Sequence, residues 1–336
     1  MADALPYTCP RCRGPLASEP DAYRCDHCSR TYPVVCGVAD FRLEPDPYIG
    51  LDDDRAKATH LFEASRTRTF EQLVRYYYSI TPDDPPDLAE QWTRHHLAET
   101  EIADALLLDA GLGHGEGRAL LDLGCSTGGL VVAASRHEWR AIGVDVALRW
   151  LIVGRKRLEE AGVSMTLVCA NAQHLPLPDG CVDAVTASDL LEHSGDPTGV
   201  LAEARRVSAA GATTVVTANN RFAPLPEPQL KLWGVTHLPR RWQARFVAWR
   251  RPDVHRYRMI VPSGRELRRW LTSAGFEGVR VEPAPLVAPH WGHGIASRVL
   301  TAYNAVRRWP LIRPLLLLAG PRLWGQAVAP ATRDRR

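Results

Sequence analysis

Long apolar runs are missing from this 336-residue chain. Nothing reaches the roughly 18 uninterrupted apolar residues of a membrane-crossing helix. The best candidate, residues 311–324, is broken by Arg313, Pro314, Pro321 and Arg322. No apolar run with a basic start opens the chain, so no signal peptide is expected and a cytoplasmic location is. Acidic residues are scarce in one part. Residues 221–336 hold 6 Asp/Glu against 21 Lys/Arg, a balance of +15, whereas residues 1–220 hold 32 against 20, a balance of −12. The overall charge of +3 hides this split. Seven of the ten tryptophans also fall in the basic part. A segment so biased calls for an anionic partner: nucleic acid, an anionic membrane surface or an anionic substrate. The rest of the composition, 45% hydrophobic and 24% charged, is that of a soluble globular protein, and the length suggests two or three units.

Four of the eight cysteines cluster near the start: Cys9 and Cys12, then Cys25 and Cys28. Two residues separate the members of each pair and twelve separate the pairs. Without a secretory signal a disulfide framework is disfavoured, and two such turns supply four thiolates for tetrahedral zinc. A unit of about forty residues has too little core to fold alone, so the metal would contribute much of its folding energy. Four sulfurs close the coordination sphere, which makes the zinc structural and His27 unnecessary. Cys36 lies outside the spacing and is expected as a small buried residue.

Residues 44–48, with two prolines, read as an extended linker. Helical periodicity is expected over 52–78 and over 87–108, with a proline-rich break between and a glycine-rich end at 111–117. These helices precede the glycine turn and can bring Tyr76, Tyr77, Arg94, His95 or His96 to a lid.

From residue 119 the pattern alternates. Strands are expected at 119–123, 140–145, 165–169, 182–187 and 213–217, with helices at 129–136, 148–161 and 197–207. Such alternation means a parallel sheet with helices on both faces, and ligands at the carboxyl ends of the strands. Those ends carry Asp122, Asp145, Asn171 and Asp189. The turn at 124–129 has Gly124 and Gly128 but Ser126 where a dinucleotide fingerprint has its middle glycine. A diphosphate there would face Asp122, which repels it. S-Adenosylmethionine (SAM) carries an ammonium and a sulfonium and no phosphate, so the carboxylate suits it. Ser126 can bond the methionine carboxylate. Asp145, 21 residues after Gly124, can accept both ribose hydroxyls, each such charged bond contributing about 1.5–3 kcal/mol. Asn171 and Ala172 can bracket the adenine edge.

At this point a resemblance is clear. The segments at 121–129, 143–145, 171–180, 189–193 and 205–211 resemble, in order, the motifs of class I SAM-dependent methyltransferases, similar to the ubiquinone/menaquinone group. Ala210 and Ala212 stand where that group has proline and a second glycine. The ribbon, with Tyr32-Pro33 and Gly37 after its last cysteine pair, resembles the small zinc-ribbon proteins that accompany tRNA and release-factor methyltransferases. The fold expected is α/β: a Rossmann-like, mostly parallel sheet with helices on both faces, a small N-terminal zinc ribbon and a helical C-terminal extension. The divisions expected are 1–43 for the ribbon, 44–117 for linker and leading helices, 118–290 for the core and 291–336 for a basic, apolar extension. A lid insertion is expected at 219–262, followed by a helix at 263–276 and a strand at 278–282.

The resemblance implies cofactor contacts from Asp122, Gly124, Ser126, Gly128, Asp145, Asn171, Ala172 and Asp189. His193, after the fourth strand, is the candidate base; His174 is assigned to a surface loop. His237, His255 and Tyr257 in the insertion are further acid/base candidates. The arginines and tryptophans of the basic half suit an anionic, glycosyl or lipid-linked small-molecule acceptor, with peripheral contact of 295–325 at the inner membrane face. Two alternatives stand beside that reading. One is an RNA methyltransferase gripping RNA with ribbon and basic half, although the Asn/Asp-Pro-Pro-Tyr type of run is lacking. The other is a non-catalytic SAM-binding partner.

Overall fold

The computed structural model describes residues 6–81, 86–164, 166–227, 230–252, 257–287 and 295–331. The His255 candidate lies outside them. The N-terminal unit is a four-stranded antiparallel sheet in chain order: β1 (Leu16–Glu19), β2 (Ala22–Cys25), β3 (Thr31–Val35) and β4 (Val38–Ala39). Its own core is little more than four rings. Tyr7, Tyr23 and Tyr32 surround Phe41 with centroids 5.0 to 5.3 Å away.

Three helices follow: α1 (Leu51–Ser65), α2 (Phe70–Ser79) and α3 (Pro86–Asp109). The single periodic stretch expected over 52–78 is two helices. Thr69 starts the second by accepting from the Gln72 N–H while the Gln72 side chain accepts from the Thr69 N–H, a reciprocal cap that interrupts the periodicity.

The core runs β5 (Ala119–Leu123), α4 (Gly129–Arg136), β6 (Arg140–Asp145), α5 (Leu148–Glu160), β7 (Leu167–Cys169), β8 (Val182–Ser188), α6 (Pro197–Val207) and β9 (Ser208–Asn219). Then come α7 (Arg240–Arg250), α8 (Gly264–Ser273), β10 (Glu277–Pro283), α9 (Ile295–Val306), α10 (Arg313–Ala319) and β11 (Arg322–Val328). Seven strands form one sheet in the order β7-β6-β5-β8-β9-β11-β10. β7 to β9 are mutually parallel, and β11 is antiparallel to both of its neighbours. β5, an interior strand, is buried along its whole length, as a strand covered on both faces must be. Helices α1 and α2 pack on α5, and α3 packs on α4.

The C-terminal segment departs from the expectation. The expected boundary leaves residues 291–336 beyond the core, yet seven of them pair in register with β9, from Arg322 opposite Asn219 to Val328 opposite Thr213. A boundary at 290 would therefore cut the sheet. The unsatisfied edge of β9 supplies the reason: β11 completes its backbone hydrogen bonds and buries Leu323, Trp324 and Ala327.

The ribbon is fastened to the opposite edge. Phe41 N–H donates to the Cys169 carbonyl at 2.7 Å, and Thr8 N–H to that of Pro176 at 3.0 Å. Beneath lies a buried charge cluster. Arg42 pairs with Asp40 at 2.8 Å and Asp54 at 2.5 Å, and Arg149 pairs with Asp54 and Asp46, each at 2.9 Å. Asp54 also accepts the Leu148 N–H at 3.0 Å, capping α5, whose own N-cap is Ala147. One carboxylate thereby ties the end of the ribbon, α1 and α5 together.

Candidate functional site

Two cavities meet at Gly124, beyond the carboxyl ends of the parallel strands. The larger, about 360 Å³, has Asp122, Gly124 and Ser126 on its floor, α3 on one side and the Asp189 turn with Arg322 on the other. The smaller, about 120 Å³, is bounded by Gly124, Asp145, Asn171, Ala172, Leu190 and His193.

The turn between them is built from unusual backbone. Gly124 has φ +74° and Ser126 φ +50°. Left-handed geometry is costless for glycine but costs about 1 kcal/mol or more for serine, and such strain gathers at functional sites. Ser126 is held there because its N–H donates to Asp145 at 2.9 Å and its hydroxyl to Glu99 at 3.1 Å. Gly129 serves a different end. A Cβ there would come within 2.4 Å of the Glu99 side chain, so only glycine lets α3 lie directly on the turn.

Glu99 is the centre of that contact. It accepts from Thr127 at 2.5 Å and pairs with Arg157 at 2.7 Å and with His96 at 2.8 Å. Burial works to raise its pKa, but Arg157 and His96 outweigh burial and hold it well below the usual carboxylate range. Asp122 behaves oppositely. Burial, reinforced by the charges of Glu99 and Asp145, pushes it up to about 8, against the 2.8 Å bond from Thr186. Burial also raises Asp145, which keeps two backbone donors, Ser126 and Ala147.

Across the larger cavity, Asp189 at the end of β8 pairs with Arg322 at 2.5 Å, and Arg322 also donates to Thr217 at 3.1 Å. Asp189 has φ +54°, a second left-handed non-glycine residue at a strand end. Glu192 lies behind it, pushed up to about 8 by burial and then by the Asp189 charge, and accepts from Asn219. His95 on α3 borders the same cavity. Burial lowers its pKa, with Glu99 partly opposing, so its ring is neutral at pH 7.

Of the residues expected at the cofactor, Asp122, Gly124, Ser126 and Asp189 border the larger cavity, and Asp145, Asn171 and Ala172 the smaller. Gly128, with φ +74°, precedes α4 and shapes the turn from behind. Asn171 is more committed than expected. Its carboxamide accepts from the N–H groups of Leu43 and Glu44 and donates to the Glu44 carbonyl, so it pins the ribbon's linker beside the cavity. His193, the expected base, borders the smaller cavity and not the larger. The turn after Asp189 folds back, with His193 N–H donating to the Leu190 carbonyl, and sets His193 on the wall of the smaller cavity. Of the lid candidates, His95 and His96 reach the larger cavity. Arg94 is exposed, Tyr76 bonds His60, and Tyr77 is buried against Trp150. His174 and His237 are exposed, and Cys36 is only partly buried. Glu99, Arg322 and Trp324 escaped the sequence reading. The signal for Glu99 was available: His95 and Glu99 stand four apart on a helix face that is otherwise apolar.

In the ribbon, one sulfur each from Cys9, Cys12, Cys25 and Cys28 lies within 4.8 Å of the others. Cys9 and Cys28 are 3.6 Å apart and Cys12 and Cys25 3.4 Å, near the roughly 3.8 Å edge of a tetrahedron with 2.3 Å metal–sulfur bonds. The donor set therefore fits a thiophilic metal.

Comparison with known proteins agrees with this geometry. A methyltransferase-domain family model matches residues 121–216, from β5 into β9. The Ubiquinone/menaquinone biosynthesis C-methyltransferase of Vibrio cholerae is 31% identical over 175 residues, covering 48% of this chain and 65% of that protein. The demethylmenaquinone methyltransferase of Thermobifida fusca is 31% identical over 169 residues, covering 48% of this chain and 70% of that one. Among solved structures, the Haemonchus contortus phosphoethanolamine N-methyltransferase 2 with S-adenosylhomocysteine superposes with TM-score 0.45 at 16% identity, over 68% of this chain and 52% of that one. The chain spans 41% to 72% of the length of the curated relatives it matches. With the family's domain lying across the glycine turn, this chain belongs to the class I SAM-dependent methyltransferases.

Proposed function

We propose that the chain methylates a small, largely apolar acceptor held in the larger cavity, with SAM lying across Gly124 from the smaller one. The observation that carries this reading is the meeting of the two cavities at Gly124, between Asp145 on one side and Asp122 on the other. The residues fit the cofactor. Asp145 stands where ribose hydroxyls need an acceptor, and Ala172 and Leu190 offer an apolar slot for adenine. Glu99, and Asp122 once a cationic ligand draws off its proton, give the turn a negative wall that suits an ammonium and a sulfonium and would repel a diphosphate. SAM supplies an electrophilic methyl group.

What the chain's own residues supply is position and proton traffic. In-line approach to that methyl is a matter of placement, and the cavity wall of Ile102, Leu106, Leu130 and Trp324 holds an apolar body against it. Asp189 and Arg322 offer an acceptor and a donor to one polar group. A neutral ring nitrogen of His95 takes the proton released from a hydroxyl or acidic carbon. The Vibrio and Thermobifida relatives are named for ubiquinone/menaquinone biosynthesis and for demethylmenaquinone, and a lipid-borne quinone precursor is an acceptor of this kind. The four thiolates hold structural zinc in this reading.

Geometry weighs against the RNA reading. The ribbon sits on the β7 edge, whereas strands β11 and β10 of the basic half lie at the other end of the sheet order, so an RNA held by both would have to cross the sheet. Labelled SAM offered in parallel to lipid extract, soluble metabolites and RNA tests the proposal. Label should enter the lipid extract; label in RNA alone would overturn it.

A further inference from the structure

The basic half carries an outward face that the site above does not use. Helix α7 buries only Gln243 and Val247. Its opposite side presents Trp242, Arg245, Phe246 and Trp249, spaced as one helical stripe. Trp249 is 72% exposed, and Arg245 and Arg250 lie over the rings of Trp242 and Trp249. Helix α10 has no buried residue although Leu315 to Leu318 are all leucine. Leu311, Leu315 and Leu318, again one stripe, are 87%, 66% and 62% exposed.

The two helices hang from one turn. The Asn220 side chain donates to the carbonyls of Leu317 and Leu318, and the Arg221 guanidinium to that of Leu238, just before α7. That turn follows β9 three residues after Thr217, which borders the larger cavity. Exposed apolar surface therefore flanks the strand ends where the acceptor is proposed to sit.

Charge selects the occupant. Helix α7 has four arginines and no acidic residue. Among the described acids of this half, Glu266 is paired with Arg221 and Arg240, Glu282 with Arg308 and Arg313, Glu227 is buried, and Glu277 is exposed on β10. Tryptophan and leucine beside the exposed Arg241, Arg245 and Arg250 match the boundary between anionic headgroups and acyl chains. We propose that α7 and α10 form a docking face for an anionic phospholipid bilayer, lying in its surface plane without crossing it. This deepens the lipid-borne acceptor reading. The binding is measured without SAM or acceptor, so either idea can fail while the other stands.

The test is flotation of the full chain with vesicles of phosphatidylcholine, with and without phosphatidylglycerol. The protein should float with the anionic vesicles and be released by salt. Brominated acyl chains should quench its fluorescence, less so in Trp242→Ala with Trp249→Ala. Arg241→Gln with Arg245→Gln should weaken binding about 25-fold, at roughly fivefold per arginine, and Leu315→Ser with Leu318→Ser should weaken it further, with unchanged thermal midpoints. No flotation on either vesicle, flotation indifferent to all these substitutions, or capture by RNA with none by vesicles would overturn the proposal.

Discussion

Arg322 donates to Asp189 at 2.5 Å, joining the first residue of the last strand to the end of the fourth parallel one. Residues 133 positions apart thereby set one wall of the larger cavity. Replacing Arg322 by methionine leaves Asp189 facing Glu192 without its cation. Turnover should fall at least about tenfold, the loss expected for one charged hydrogen bond. Affinity for SAM, whose ribose and adenine are proposed to lie in the other cavity, should change little. Initial rates and a calorimetric titration separate the two effects.

The raised Asp122 makes cofactor binding pH-dependent. With its pKa pushed up to about 8 by burial, Asp122 is protonated in the free protein at pH 7. The folded state then binds more protons than the unfolded one between the ordinary value of 3.8 and about 8, so this group's contribution to stability falls as pH rises through that window. A cationic ligand favours the ionised form. SAM affinity should therefore increase with pH up to about 8 and binding should release a proton, seen as a buffer-dependent heat. Asp122→Asn should abolish both the slope and the proton release.

His95 bears on the rate profile instead. Burial lowers its pKa from 6.5, so it becomes a working base at a pH below that value. The rate should climb on the acid side below 6.5 and be level near neutrality. His95→Gln should remove that limb and slow methyl transfer by roughly a hundredfold or more. His193→Gln should spare the limb, since His193 borders the other cavity.

Much of this was legible in the sequence, for reasons that are local. The cysteine spacing, the glycine turn and the strand–helix alternation from 119 to 217 each depend on residues a few positions apart. What was hidden depends on long-range pairing. Arg322–Val328 is apolar with interspersed polar residues, a pattern that fits a surface helix as well as a strand, and only the open edge of β9 decides between them. His193 follows Asp189 closely in sequence, yet a backbone turn sends it to the smaller cavity, while His95 arrives from a helix that lies on Gly129. The Asn171 carboxamide looked free for adenine because its partners, Leu43 and Glu44, stand far away in the chain.

The ribbon should be part of the stability of the whole. One zinc per chain is expected by elemental analysis. Stripping it, or Cys25→Ser, should lower the thermal midpoint and weaken SAM binding through the linker that Asn171 holds. Arg42→Leu leaves Asp40 and Asp54 buried with one partner fewer each and should cost about 3–5 kcal/mol in denaturant unfolding.

The central claim is that the cofactor spans Gly124 from the smaller cavity toward the larger. A crystal structure with S-adenosylhomocysteine tests it most directly. The account predicts ribose hydroxyls on Asp145, adenine between Ala172 and Leu190, and the sulfur opening toward His95 and Asp189. An empty turn, or a ligand bound away from Asp145 and Gly124, would contradict it.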